Sequence, residues 1–276
     1  MKKRIITAAV AIPVILLIFF AASSFSYILD IVLAIGIVLC VGEALNAAKA
    51  LNLYMLSIPG IIIAGAIPFL IYTKYLIPAI YVYLLAAFAA IIFNSKKISF
   101  NNAVFAFCFT IIISLTISSV IALYNSDRRL CVFYVVVGLA APWLTDAGAY
   151  FVGVTLGRHK LCPNISPKKT VEGAIGGVLC GTLLMIITGL VFNNLVFPSS
   201  NIDKSVNFVN LIIISFLCSV FSILGDLVFS MLKRNFDVKD YGSFFPGHGG
   251  FLDRLDSVIF AMPLLLITSE YLPLLN

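Results

Sequence analysis

Charge is the scarcest commodity in this chain. Lys, Arg, Asp and Glu make up 11% of its 276 residues, while 62% are hydrophobic and the mean hydropathy is +1.12. A soluble domain carries about 25% charged residues, and at this length there is too little polar surface to clothe one water-soluble core. The composition excludes a soluble cytosolic enzyme, a secreted disulfide scaffold and a disordered chain. Ligand-type cysteine spacing is missing too. Cys40, Cys108, Cys131, Cys162, Cys180 and Cys218 are scattered, mostly through apolar runs, without a CxxC or a Cys/His pairing, so neither zinc nor a disulfide framework is indicated. A second soluble domain, a tethering linker and an internal repeat are also lacking. What remains is an all-α, polytopic membrane protein.

A spanning helix needs about 20 mostly apolar residues. The candidate runs are Ile5–Ala22, Tyr27–Val41, Tyr54–Tyr72, Leu76–Phe93, Ala103–Leu123, Cys131–Leu156, Gly173–Phe192, Phe208–Leu232 and Leu255–Leu272, giving about nine transmembrane helices. Open strands cannot cross lipid, so these runs are expected to be helical despite their β-branched residues. The first run follows Lys2–Arg4 but exceeds the usual apolar stretch of a signal peptide, about 7–15 residues, and is expected to be a retained helix. If the N-terminus is cytoplasmic, the loops on that side hold fourteen of the eighteen Lys and Arg. The positive-inside rule then sets that orientation, with the C-terminus outside and Arg128–Arg129 discordant. The net charge of +6 thus reflects the bilayer and calls for no nucleic acid.

Residues 1–130 read as N-terminal transmembrane helices and 131–276 as a C-terminal catalytic transmembrane region. Before residue 140 the only acids are Asp30, Glu43 and Asp127; Glu43, at the end of the second run, reads as a cavity-lining or loop-capping group. From Pro142 the chain changes character. Asp146 stands among small residues inside an apolar run, where a carboxylate costs about 2.5–3.5 kcal/mol on insertion scales and is functional by default. Next come Arg158, His159 and Lys160, then Ser166-Pro167-Lys168-Lys169-Thr170-Val171-Glu172-Gly173. Either Ser166 with Pro167 at the first helical position, or Thr170, can cap the helix that follows. Lys168 and Lys169 would then stand beside a positive helix end suited to phosphate, or serve as an anchor on anionic headgroups.

The densest cluster runs from Gly225 to Asp256. Asp226, Ser230 and Lys233 fall at i, i+4 and i+7 on one helix face, and Asp253 and Asp256 share another. Between them Pro246-Gly247-His248-Gly249-Gly250 offers backbone N–H groups to a ligand, with His248 a candidate acid/base or phosphate contact. Five of the twelve acids lie here, among Lys233, Arg234, Lys239 and Arg254. Facing carboxylates call for a hard cation, Mg²⁺ by default. Carboxylates for metal, lysines for phosphate and a glycine loop at a lipid boundary suggest phosphoryl-group chemistry on a lipid at the cytoplasmic face.

The residues Ser230-Met231-Leu232-Lys233-Arg234, Lys239-Asp240 and Pro246-Gly247-His248-Gly249-Gly250-Phe251-Leu252-Asp253-Arg254-Leu255-Asp256 resemble the signature of the phosphatidate cytidylyltransferase (CDP-diacylglycerol synthase) family. Gly225-Asp226-Leu227, the segment from Ile165 to Gly173 and Asp146-Ala147-Gly148-Ala149-Tyr150 resemble family segments as well. The likeness covers roughly residues 142–260. Where family members commonly read Ser-Asp-Thr-Gly-Ala-Tyr, this chain has Thr145-Asp146-Ala147-Gly148, so one hydroxyl is missing.

The resemblance implies transfer of a cytidylyl group from CTP to phosphatidate, giving CDP-diacylglycerol and pyrophosphate. It further implies Mg²⁺, with room for a second, monovalent cation, and a homodimer in the bacterial cytoplasmic membrane. Asp226 and Asp253 are expected to hold metal, and Asp256, Lys233 and His248 to share in catalysis. Ser166, Lys168, Lys169, Ser230, Arg234, Lys239, Asp240, Gly249, Gly250, Arg254 and Asp146 are expected to bind substrate. A CTP-dependent lipid kinase and an ion-coupled transporter are the rival readings; the kinase would release CDP in place of pyrophosphate, and the transporter would place ionisable groups near the midplane of related halves.

Overall fold

The computed structural model describes residues 27–276 except 95, 97, 127–129, 201 and 245–248. The expected first run, the discordant Arg128 and Arg129, and His248 with Pro246 and Gly247 lie outside the described residues. The helices are α1 (Tyr27–Ala47), α2 (Tyr54–Leu70), α3 (Leu76–Phe93), α4 (Phe100–Ser126), α5 (Cys131–Leu156), α6 (Val171–Val191), α7 (Phe208–Asn235) and α8 (Leu252–Tyr271). A π-helical turn, Phe192–Val196, and a short turn, Phe197–Ser199, prolong α6.

Six of these helices, α1 and α3 to α7, are long and apolar enough to cross a membrane. Helix α2 has 17 residues, and α8 opens with Asp253, Arg254 and Asp256. Large apolar side chains cover the outside: Ile77 and Phe93 of α3 are 78% and 77% exposed. Such a surface suits lipid and not water. The chain is an all-α polytopic membrane protein.

Among the described residues one hairpin departs from the helical plan. Strand β1 (Lys160–Cys162) pairs antiparallel with β2 (Ser166–Thr170), Lys160 opposite Thr170 and Cys162 opposite Ser166. Ser166 and Pro167 therefore do not start a helix, one of the two capping alternatives. Proline's fixed φ suits an extended strand at an edge, where no N–H is required of it. The cap is Thr170, whose hydroxyl accepts from the Gly173 N–H at 3.1 Å.

The chain forms two compact units. One comprises the described residues up to Ile121 together with Asn235–Leu255, the other Ala122–Arg234 with Asp256–Asn276. The segment 235–255, expected to belong with the C-terminal helices, thus groups with the N-terminal ones. In the first unit Ile63 and Ile67 of α2 pack on Tyr83 of α3 and on Phe107, Ile111 and Leu115 of α4, with the Tyr83 and Phe107 rings stacked at 5.1 Å. Phe236 meets Phe105 edge-on at 4.5 Å.

In the second unit small residues bring backbones together, as interhelical packing in lipid favours. Gly173, Gly177 and Gly181 repeat every fourth residue along α6 and face α5. A Cβ on Gly173 would lie 2.8 Å from the Ala149 carbonyl, and one on Gly177 2.8 Å from that of Thr145. The Thr145 hydroxyl donates to Ala141 O (2.7 Å) and pairs with Ser219 of α7 at 2.8 Å. Gly225 of α7 in turn admits α8, since its Cβ would stand 2.9 Å from Asp256 O. Helices α5, α7 and α8, which carry Asp146, Asp226 and Asp256, are thereby held at short range.

Candidate active site

A pocket of about 460 Å³ opens within the second unit. Its wall is mostly apolar, but Asp146 from α5, Asp226 from α7 and Lys160, Lys168 and Lys169 from the hairpin all line it. The hairpin is what delivers the cations. Along β2 Lys168 is exposed and Lys169 half-buried, and Lys169 Nζ meets Asp226 Oδ2 at 2.5 Å. One turn along α7 the Ser230 hydroxyl donates to Asp226 Oδ1 at 3.3 Å, as the i, i+4 spacing predicts. Lys233, a turn further, lies 4.0 Å from the buried Asp256.

The acids are mutually close. Asp226 and Asp146 both repel the Asp256 carboxylate, which Lys233 attracts. Ser257 joins two of them: its hydroxyl donates to Asp146 Oδ2 (3.1 Å) and its backbone N–H to Asp256 Oδ1 (2.8 Å). Three carboxylates and two serine hydroxyls make an all-oxygen donor set, the chemistry a hard divalent ion takes. No three Asp, Glu, His or Cys among the described residues converge tightly enough to cage a metal by themselves. Magnesium seldom asks for that, being held typically by one or two carboxylates together with substrate phosphates. The donor set fits Mg²⁺.

The remaining expected residues do not line this pocket. Ser166 sits in β2 paired with Cys162, outside the pocket wall. Arg234 donates through Nε to the Ile165 carbonyl at 3.3 Å, tethering the hairpin tip to the end of α7. Lys239, Asp240, Gly249, Gly250, Asp253 and Arg254 belong to the first unit. There Asp253 Oδ2 accepts from the N–H groups of Tyr241 and Gly250, both at 2.9 Å, so the carboxylate folds the loop back on the start of α8 in the manner of a capping box. Gly249 has φ +82°, and a Cβ there would meet Asp253 Oδ2 at 3.0 Å; only glycine suits both conditions.

Glu43 completes that loop. Its two carboxylate oxygens accept from Phe251 N (3.0 Å) and Leu252 N (2.8 Å), satisfying N–H groups that the first turn of α8 leaves over. Gly242 and Gly250 press against the same carboxylate so closely that neither has room for a Cβ. Of the two readings given for Glu43, loop capping is the one observed. Lys160 and Tyr150 line the pocket without having been singled out from sequence. The only signal for Lys160 was its place in a basic segment.

Residues 2–272 match the model of the cytidylyltransferase family. The chain belongs to that family. Among its relatives is the phosphatidate cytidylyltransferase of Staphylococcus aureus (strain COL), 35% identical over 280 residues that cover 96% of this chain and 97% of the relative. Those named phosphatidate cytidylyltransferase in Staphylococcus haemolyticus (strain JCSC1435) and Bacillus subtilis (strain 168) are 39% and 47% identical. These two alignments are shorter, covering 63% and 48% of this chain and 62% and 45% of the relatives' own lengths. With bacterial relatives and six membrane-length apolar helices, the chain is a multi-pass bacterial membrane protein.

Proposed function

We propose that this chain is a phosphatidate cytidylyltransferase, transferring the cytidylyl group of CTP to phosphatidate. The observation that carries the reading is the pocket itself, where three hairpin lysines face Asp146 and Asp226 across an otherwise apolar helical wall. A phosphate oxygen of phosphatidate attacks the α-phosphorus of CTP. The new P–O bond gives CDP-diacylglycerol, the α–β bridging P–O bond breaks, and pyrophosphate leaves with the electron pair. Both reactants are anions, so the task is to hold opposed negative charge together while more develops on the leaving group.

Lys168 and Lys169 neutralise phosphate oxygens, and Lys169 is kept in place by Asp226 until a phosphate competes for it. Lys233 balances Asp256, so an added anion does not face an uncompensated carboxylate. Mg²⁺, when bound, supplies charge neutralisation at the phosphates. Asp226 would hold it, with Asp146 the other carboxylate on the pocket wall. Asp253, expected as its second holder, instead has Oδ2 committed to the loop of the first unit. The apolar wall lets the acyl chains of phosphatidate stay in lipid while its headgroup reacts. We place this pocket at the cytoplasmic face, with the N-terminus cytoplasmic, on the distribution of Lys and Arg, and we propose a homodimer on the family resemblance.

The test uses purified full-length protein in detergent–lipid micelles with phosphatidate, labelled CTP and Mg²⁺. Equal amounts of CDP-diacylglycerol and pyrophosphate are expected, with both lost on chelation and restored by Mg²⁺. CDP together with a phosphorylated lipid would identify a kinase instead.

A further inference from the structure

Three lysines reach the pocket from a hairpin that has little of its own to hold it. Its strands are three and five residues long and their register is irregular between Lys160 and Cys162; an isolated two-stranded hairpin is marginal at best in water. Something outside the strands must fix it over the pocket. At the base that something is Glu172, in the first turn of α6. Its Oε2 accepts from the N–H groups of Arg158 (3.0 Å) and His159 (3.2 Å), and His159 Nδ1 lies 2.6 Å from Oε1. The Val171 N–H donates to His159 O at 2.9 Å alongside. One carboxylate thus gathers the incoming chain just before β1 and ties it to the helix that follows β2.

Glu172 does not line the pocket, whereas Lys160, Lys168 and Lys169 do. We infer that Glu172 is a positioning residue: it clamps the base of the hairpin so that Lys160 joins Lys168 and Lys169 in holding the CTP phosphates. The inference rests on the cytidylyl-transfer reading for its substrate, but the clamp itself is a statement about the hairpin. Removing it leaves the reacting groups in place and loosens the cations. The effect therefore falls on CTP binding before it falls on the chemical step.

Two measurements on the full-length chain test it. In the product assay, Glu172→Ala is expected to raise KM for CTP about tenfold while kcat stays within about twofold, a loss of the size expected for hydrogen bonds to a charged group. Glu172→Gln, which keeps the shape and one acceptor, is expected to fall between Glu172→Ala and the parent. An unchanged KM, or a kcat loss without a KM change, overturns the inference. If Glu172→Ala does not fold, Glu172→Gln decides by the same criterion. Independently of turnover, trypsin is expected to cut after Lys160 and Lys168 several-fold faster in the variant than in the parent. Equal cutting rates also overturn the clamp. A parent chain that makes no CDP-diacylglycerol would defeat the reaction assigned above, and the clamp would then stand or fall on the trypsin rates alone.

Discussion

Two sets of carboxylates in this protein look alike in sequence and do different work. Asp226 and Asp256 face the ammonium groups of Lys169 and Lys233. Glu43 and Asp253 instead accept from the backbone N–H groups of Phe251, Leu252, Tyr241 and Gly250. An acid paired with a lysine beside a pocket can exchange that partner for a phosphate or a metal. One whose oxygens receive backbone N–H groups is built into the loop, and disturbing it strands those donors. The lesson is that acidic clustering alone does not separate chemistry from construction. The partner of each carboxylate does.

The largest consequence is expected from the carboxylate that faces Lys169. Asp226→Asn keeps the shape but removes the charge that Lys169 and a metal would share, so the initial rate should drop by about 100-fold or more. Asn keeps a side-chain oxygen that can accept from the Lys169 ammonium, which lies 2.5 Å from Asp226 Oδ2, so the thermal midpoint should move far less than the rate. On the other side, Glu43→Ala strips two N–H groups of their acceptor and should cost about 2 kcal/mol of stability, read as a lower midpoint in micelles. Lys169→Met should act mainly on affinity, raising KM for CTP about tenfold by removing one charge-assisted phosphate contact. The smallest effect is expected of Thr170→Ala, which removes the cap of α6 at about 1 kcal/mol and should lower the midpoint without abolishing turnover. Asp253→Asn weakens the acceptor shared by the Tyr241 and Gly250 N–H groups and should lower the midpoint as Glu43→Ala does.

Helix placement was legible because apolar runs in lipid leave few alternatives. The runs Leu76–Phe93 and Cys131–Leu156 recur unchanged as α3 and α5, and Thr170 was a recognisable cap. The hairpin was not legible. Lys160-Leu161-Cys162 is too short to show a period of two, and Ser166-Pro167 carries the same signal as a helix start. The pocket's core was visible as residue types, in that Asp146, Lys168, Lys169 and Asp226 were all expected and do line one cavity. What sequence could not supply was partnership across distance. Glu43 reaches residues more than two hundred positions away, and Arg234 attaches to Ile165; no local spacing encodes either contact.

The most direct test pairs Asp226→Asn with Glu43→Gln, measuring initial rate and thermal midpoint on the same preparations. Asp226→Asn is expected to lose the rate and keep the midpoint, whereas Glu43→Gln is expected to lose midpoint and, well below it, keep most of the rate. If Asp226→Asn retains activity, or if Glu43→Gln abolishes it with an unchanged midpoint, the division between chemical and structural carboxylates is wrong.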